Sequence, residues 1–142
     1  MDHEIGTKKD FYTLTAVSRG ITTIVDSTTY FFGSKAGKDI LITPAVQKIY
    51  LPLAGKITKV FVEWYATTAG SGENISMYLR LNDTTDYLIA TLGNTNAFKL
   101  FSNTALNIPV VEGDFFEIKI VTPAWVTNPT PVSVGGQILV EA

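Results

Sequence analysis

The polar residues best suited to chemistry in this chain lie in one short break between two apolar segments. In the stretch ENISMYLRLNDTTDYLIATL, this break contains Asn82, Asp83 and Asp86. Their side chains offer hard oxygen ligands of the kind that bind Ca²⁺ in β-protein loops. Their spacing, however, differs from that of the Asp-rich calcium loop with its distal Glu. Asn and Asp also favour turns, because they bond to nearby backbone and tolerate the left-handed conformation. The stretch therefore favours a hairpin turn over a metal site.

The chain lacks the residues that nucleophilic catalysis usually requires. A Ser-His-acid triad needs a histidine held within hydrogen-bond reach of the nucleophile. The single histidine, His3, lies in the polar N-terminal segment, and the chain has no cysteine. Zinc sites, thiolate chemistry and disulfides are left without ligands. We therefore expect no catalytic triad and no cofactor.

Scattered acidic residues could in principle supply the two carboxylates of a glycosidase. The candidates are Glu63, Glu73, Glu112, Asp114 and Glu117. Glu112 and Asp114 flank Gly113 in a predicted hairpin turn. Glu63 and Glu117 fall on predicted polar strand faces beside lysines, where cross-strand charge pairs are ordinary. We therefore predict that the chain is not an enzyme.

Aromatic side chains are the candidate contacts for a glycan or a protein partner. Tyr65 and Tyr78 lie opposite the main apolar rows of their strands. Aromatic residues are enriched at the centres of interfaces, so a subunit contact is favoured over sugar stacking. Trp125 lies in the segment TPAWVTNPTP, Thr122 to Pro131, whose prolines exclude a central strand. We predict a long ordered loop with Trp125 packed beneath it as an anchor; an exposed Trp125 would be available for binding.

Apolar and polar residues alternate with a period of two through most of the chain, which indicates β-strands. In KITKVFVEWYATT, Val60, Val62 and Trp64 share one face, and the intervening residues share the other. NISMYLRLN and GDFFEIKIVTP show the same pattern. Glycine and proline interrupt these segments at intervals typical of a sandwich or barrel. The fold class is therefore an all-β antiparallel sandwich.

The amino-acid composition argues against further classes of function. Of 142 residues, 46% are hydrophobic and 17% are charged, and the net charge is −2. No basic stripe suited to phosphate binding is present, so we expect no nucleic-acid partner. No apolar run is long enough to span a bilayer, and the N-terminus lacks a secretory signal. We expect synthesis in the cytoplasm, a flexible N-terminal arm over residues 1–10, and one domain over residues 11–142.

The segment from about Leu51 to the end resembles a domain of tailed-bacteriophage structural proteins. The resemblance rests on AGKI, SMYLRLNDTTDYLIAT, FSNTALNI, GDFFEIK and PAWVTNPT, in that order. It implies a virion β-sandwich of jelly-roll type, commonly trimeric, with roles that range from capsid decoration and head fibres to tail-fibre tips. The family has no catalytic motif, so it implies no active-site residue.

These observations lead to a virion structural protein, a capsid decoration or head-fibre component, as the expected function. The expected partners are further copies of the chain in a trimer, and the major capsid protein or another virion protein. Strand addition by the N-terminal arm could fasten the domain to such a neighbour. The alternative is a receptor- or glycan-binding tip of the tail or baseplate. A non-viral carbohydrate-binding module or hydrolase is a third reading.

Overall fold

The computed structural model describes residues 10–17, 24–33, 40–45, 47–68, 73–93 and 97–142. Within these residues the chain forms strands and no helix. The strands are β1 (Phe11–Val17), β2 (Thr29–Phe32), β3 (Ile49–Tyr50), β4 (Gly55–Thr68), β5 (Asn74–Leu81), β6 (Thr85–Gly93), β7 (Ala97–Asn103), β8 (Ile108–Val110), β9 (Phe115–Val121) and β10 (Thr130–Glu141). The prediction of an all-β fold is confirmed.

The alternating sequence pattern places one face of each long strand in the interior. On β4, Val60, Val62 and Trp64 are fully buried. On β5, buried residues alternate with partly exposed ones from Ile75 to Leu81. The two faces that carry these rows pack against each other and form a single apolar core. Removal of this area from water is the main favourable contribution to folding.

Two antiparallel sheets form the sandwich. Sheet A has the strand order β1-β10-β4-β7, and β8 also pairs with β4. Sheet B has the order β2-β9-β5-β6, and β3 also pairs with β9. We count β2 and β3 as one interrupted strand, and β7 and β8 as another, which gives eight strands in all. The first strand then pairs with the eighth, the second with the seventh, the third with the sixth, and the fourth with the fifth. This nested pairing is that of an eight-stranded jelly roll.

The interruption between β2 and β3 has a defined position along β9. Phe32 of β2 is opposite Ile118, and Ile49 of β3 is opposite Phe116. Glu117 therefore has no strand partner on this side of β9. We call residues 33–48, between these two strands, the insertion; the structure describes residues 33, 40–45, 47 and 48 of it.

The neck of the insertion consists of Gly33, Gln47 and Lys48. A Cβ atom added to Gly33 would lie 2.2 Å from the carbonyl oxygen of Gln47, so the two backbones meet where only glycine fits. Farther out, Phe31 and Leu41 exchange backbone hydrogen bonds of 2.6 and 3.0 Å. Leu41 thus forms an isolated bridge to Phe31 at the β2 edge of sheet B.

The predicted hairpin at Glu112–Asp114 is a turn but not a hairpin. Gly113 has φ of +93°, and the Asp114 N–H donates to the Val111 carbonyl at 3.1 Å. The strand before the turn, β8, belongs to sheet A, and the strand after it, β9, belongs to sheet B. The turn therefore connects the two sheets, because the same turn residues serve either geometry.

The proline-rich segment runs from the end of β9 to the start of β10 and is shorter than predicted. Pro131 lies within β10, in a part of the strand that pairs with β4 before the pairing with β1 begins. This position tolerates the missing N–H of proline. Trp125 is buried and belongs to the core, as expected for an anchor. Thr122 ties the segment to the start of β2, because its hydroxyl donates to the carbonyl of Thr28 at 3.0 Å.

The predicted N-terminal arm, with His3, lies outside the described residues except for Asp10. The carbonyl of Asp10 accepts a hydrogen bond of 2.9 Å from the N–H of Ala142. From Phe11 onward the chain runs antiparallel to β10 at the edge of sheet A.

Candidate functional site

The opening polar break is a tight turn between β5 and β6. Asn82 and Asp83 have φ of +54° and +57°, and the Thr84 N–H donates to the Leu81 carbonyl at 3.0 Å. Asn and Asp accept positive φ more readily than other side chains do. The predicted hairpin turn is confirmed at this position.

The three candidate calcium ligands have different nearest partners. The Asn82 side chain bridges to the start of β9, accepting from the Phe115 N–H at 3.0 Å and donating to Asp114 at 3.1 Å. Asp83 faces Lys48, with 3.4 Å between Oδ2 and Nζ. Asp86 accepts a hydrogen bond of 2.6 Å from Lys119. Within the described ranges, no group of three or more His, Cys, Asp or Glu residues converges as a metal site would require.

The structure brings together one pair of carboxyl groups that the sequence did not indicate, Asp83 and Glu117. Glu117 is fully buried, and no hydrogen-bond donor among the described residues reaches either of its oxygens. The nearest cation is Arg80, whose Nε lies 3.9 Å from Oε2. The Arg80 Nη2 group donates instead to the Asp83 carbonyl at 2.9 Å. The two acids therefore face each other with no donor between them unless one is protonated.

Their pKa values move in opposite directions, as expected for two acids that share one proton. Burial, followed by the hydrogen bond and charge of Asp83, raises the pKa of Glu117 from its ordinary value of 4.5 to about 8. Burial by itself would raise the pKa of Asp83, but its hydrogen bond to Glu117 and the nearby Lys48 and Arg80 outweigh this effect and lower it. At neutral pH the proton lies on Glu117.

Glu117 was predicted on a polar strand face where cross-strand charge pairs are ordinary; its cross-strand neighbour on β5 is Arg80, and the side chain itself is buried. Lys119, two residues along, binds Asp86. No sequence signal distinguishes Glu117 from an exposed acid, because the groups that surround it, Arg80 and Asp83 among them, are distant in the sequence.

The other acidic residues do not join this pair. Glu63 lies on the outer face of sheet A, and Glu112 and Asp114 lie in the connection between the sheets. Asp114 accepts hydrogen bonds from the Val111 N–H and from Asn82. The Asp83–Glu117 pair offers a substrate no access to its buried carboxyl group.

The outer face of sheet A carries exposed apolar side chains on its edge strand β7. Phe98 of β7 is 76% exposed and packs against Tyr65, with 4.7 Å between the ring centroids. Leu100, on the same strand, is 50% exposed. We call this surface the assembly face and define it by Phe61, Tyr65, Phe98, Leu100 and Leu139.

Two shallow depressions, of about 230 and 400 Å³, lie on this face and share Glu63 and Phe98 in their walls. Gly135 contributes to the smaller one, and a Cβ atom added there would meet nothing within 4 Å. The charged groups near the centre are Lys59 and Glu63. Neither forms an ion pair with another described residue.

The outer face of sheet B is different in character. Its centre carries Arg80, Asp86, Glu117 and Lys119, which form a continuous set of charge contacts. Tyr78 lies within this set, with the Lys119 ammonium 5.5 Å from its ring centroid. Tyr65 and Tyr78, two of the predicted contact residues, thus lie on opposite sides of the sandwich. The third, Trp125, is only 6% exposed.

No family model matches the sequence, and no curated protein matches it. Solved structures share the fold. A chain in the structure of infectious bursal disease virus Gx strain is 12% identical with a TM-score of 0.52, over 94% of this chain and 32% of the viral chain. A crystal structure of FLHE is 9% identical with a TM-score of 0.48, over 94% of this chain and 96% of FLHE. Dimeric latent PorU from Porphyromonas gingivalis is 12% identical with a TM-score of 0.46, over 94% of this chain and 13% of PorU.

The likeness to the viral chain shows a common β-sandwich fold and no more, and the present chain spans about a third of that protein's length. A viral protein is thus among the structural neighbours. In the described part of the chain there is also no helix long and apolar enough to cross a membrane.

Proposed function

We propose that this chain is a structural protein of a virus particle that decorates the capsid and is held there through its assembly face. The observation that carries the proposal is the contrast between the two outer faces of the sandwich. Sheet B pairs its charges within the chain, whereas sheet A presents Phe98 and Leu100 to water. Large exposed apolar patches mark interaction sites on otherwise soluble proteins.

Three further observations support this proposal. The sequence from about Leu51 onward resembles a domain of tailed-bacteriophage structural proteins. The nested strand order is that of a jelly roll, an architecture used by viral capsid domains. A chain of a virus particle shares the fold at low identity. The proposed partners are further copies of the chain, arranged as a trimer, and the major capsid protein.

The physical role would be mechanical. Each bound copy buries the assembly face against its neighbours and contributes binding free energy to a junction of the shell. Complete burial of an exposed Leu or Phe side chain contributes about 1.5–3 kcal/mol. Repeated over many copies, such contacts would resist expansion of the capsid.

A matched pair of substitutions tests the proposed face. Leu100 on β7 and Leu88 on β6 are 50% and 49% exposed, and each lies on an edge strand of its sheet. We expect Leu100→Lys to lower the occupancy of undecorated particles at least tenfold, because a charge buried in an apolar contact loses about 1.4 kcal/mol or more of binding free energy. Leu88→Lys should bind like the unchanged chain. Equal binding by all three proteins would rule out the assembly face as the surface that binds the capsid.

The alternative function, a glycan- or receptor-binding tip, is favoured by one observation. The Tyr65–Phe98 ring pair, the Glu63 carboxylate and the Ser133 hydroxyl together line the smaller depression. Rings beside hydrogen-bonding groups are the composition of a small-ligand site. A glycan array would support this function if binding were lost in both Phe98→Ala and Glu63→Gln. A blank array at high protein concentration would remove it.

A further inference from the structure

The outer face of sheet A has a third depression, on the side away from β7. Its volume is about 190 Å³, and its walls come from β1, β10 and β4: Thr13, Lys59, Phe61, Gln137, Ile138 and Leu139. We call it the β1–β10–β4 depression. A cavity of about 150 Å³ in another protein holds a benzene ring. The depression is therefore large enough to receive the ring of a phenylalanine.

The Phe98 side chain is the feature of matching size on the same face. Phe98 lies on β7, at the opposite edge of sheet A from β1, and most of its ring is exposed. It is paired with Tyr65, which lies four residues along β4 from Phe61. Four residues of a strand span roughly 13 Å, so Phe98 is too distant to fill the depression of its own chain. One copy of the chain therefore presents a projection and a depression that can meet only between copies.

Two charged side chains on this face have no partner of opposite sign among the described residues. They are Lys59, in the wall of the β1–β10–β4 depression, and Glu63, which lies beside Phe98. Both are exposed, and the residues directly opposite them in the sheet carry no charge. Since they are four residues apart on one strand, roughly 13 Å, they do not pair with each other. The positive charge thus lies at the depression and the negative charge at the projection.

We propose that a second copy of this chain binds to the assembly face, with the Phe98 ring of one copy in the β1–β10–β4 depression of the next and Glu63 of the first paired with Lys59 of the second. The inference rests on the proposed function and names the partner that covers this part of the face. Contact between two projections would place Glu63 against Glu63, and contact between two depressions would place Lys59 against Lys59. The charges therefore favour contact between the unlike surfaces. Contacts of this kind close into rings where the rotation between neighbours allows it, as the proposed trimer requires.

Self-association of the full chain in the absence of virus particles tests this contact. Analytical ultracentrifugation over a range of concentrations gives the dissociation constant between copies. We expect Lys59→Glu and Glu63→Lys each to raise it about tenfold or more, because each places like charges across the contact. The double variant, which exchanges the two charges, should restore the dissociation constant, since the same pair forms with its signs reversed. An unchanged chain that stays monomeric at every concentration, or a double variant that associates as weakly as the single ones, would overturn the proposal.

Further variants separate the contact from general effects of charge and hydrophobicity. Phe98→Ala removes the projection and should weaken self-association about tenfold or more. Leu88→Ala, on the edge strand β6 of sheet B, should leave it unchanged. Glu112→Lys changes the net charge as Glu63→Lys does, but at an exposed turn between the sheets, and should also leave it unchanged. An equal loss in Glu112→Lys and Glu63→Lys would overturn the proposal, because net charge alone would then explain both.

Occupancy of undecorated particles, measured separately, distinguishes this inference from the proposed function. A monomeric chain that still occupies the particles would overturn the contact between copies and leave capsid decoration standing. A chain whose self-association follows the charge exchange, but which never occupies particles, would support the contact and overturn capsid decoration.

Discussion

At the scale of single residues, the carboxyl group of Glu117 makes the stability of the fold depend on pH. In the folded chain its pKa is about 8, against an ordinary value of 4.5. Between these two values the unfolded chain binds fewer protons at this residue, so the free energy of unfolding falls as pH rises. Asp83, whose pKa is lowered, acts in the opposite sense, and its contribution is lost only as pH falls below its ordinary value of 3.8.

Glu117→Gln should therefore remove most of the loss of stability between pH 5 and pH 8. The glutamine keeps the shape and a hydrogen-bond donor but cannot ionise. At pH 9 the variant should exceed the unchanged chain in unfolding free energy by roughly 1 kcal/mol or more, since one pKa unit corresponds to about 1.4 kcal/mol. Urea unfolding at several pH values measures this difference. Parallel pH curves for the variant and the unchanged chain would contradict the account, and Glu63→Gln serves as the control.

A second residue-scale prediction concerns the anchor of the proline-rich segment. Trp125→Ala should lower the unfolding free energy by about 3 kcal/mol or more, because it leaves a cavity in the core. The neighbouring side chain Val126 is 84% exposed, so Val126→Ala should change the unfolding free energy by less than about 0.5 kcal/mol. Thermal unfolding of the two variants gives the comparison. An effect of Trp125→Ala as small as that of Val126→Ala would place the ring at the surface.

At the scale of elements, the neck of the insertion is a point where backbone meets backbone. Gly33→Ala should lower the unfolding free energy by about 1–3 kcal/mol, since the new Cβ atom meets the Gln47 carbonyl and the neck must shift. Gly135→Ala, where the added atom meets open space, is the matched control. Hydrogen exchange should report faster opening at Gln47 and Lys48 in Gly33→Ala alone. Unchanged protection there would contradict a tight neck.

The long strands could be predicted from the sequence because each has one face in the core and one outside. The alternation of apolar and polar residues on β4 and β5 predicted both the fold class and the side chains that face the core. The turn at Asn82 and Asp83 was also predictable, because these side chains favour positive φ. The points where the chain passes from one sheet to the other were not predictable in this way. The turn at Gly113 uses ordinary turn residues, yet it connects the two sheets. The Asp83–Glu117 pair depends on such non-local geometry, and no local pattern marks it.

At the scale of the whole molecule, the outer face of sheet B pairs its own charges, and the outer face of sheet A exposes Phe98 and Leu100. The charged residues, which make up 17% of the sequence, are therefore not distributed evenly between the two outer faces. Sequence composition predicted that part of the surface contacts partners, and the strand order makes the outer face of sheet A the candidate surface. β7 at the edge of sheet A carries both Phe98 and Leu100.

The proposal that this chain decorates a capsid is tested most directly by its copy number per virus particle. Quantitative mass spectrometry of purified particles, with the major capsid protein as the internal reference, gives this number. We expect hundreds of copies per particle, in a fixed ratio to the major capsid protein. A handful of copies would contradict capsid decoration and favour a receptor-binding position on the tail, and complete absence from the particle would contradict any virion role.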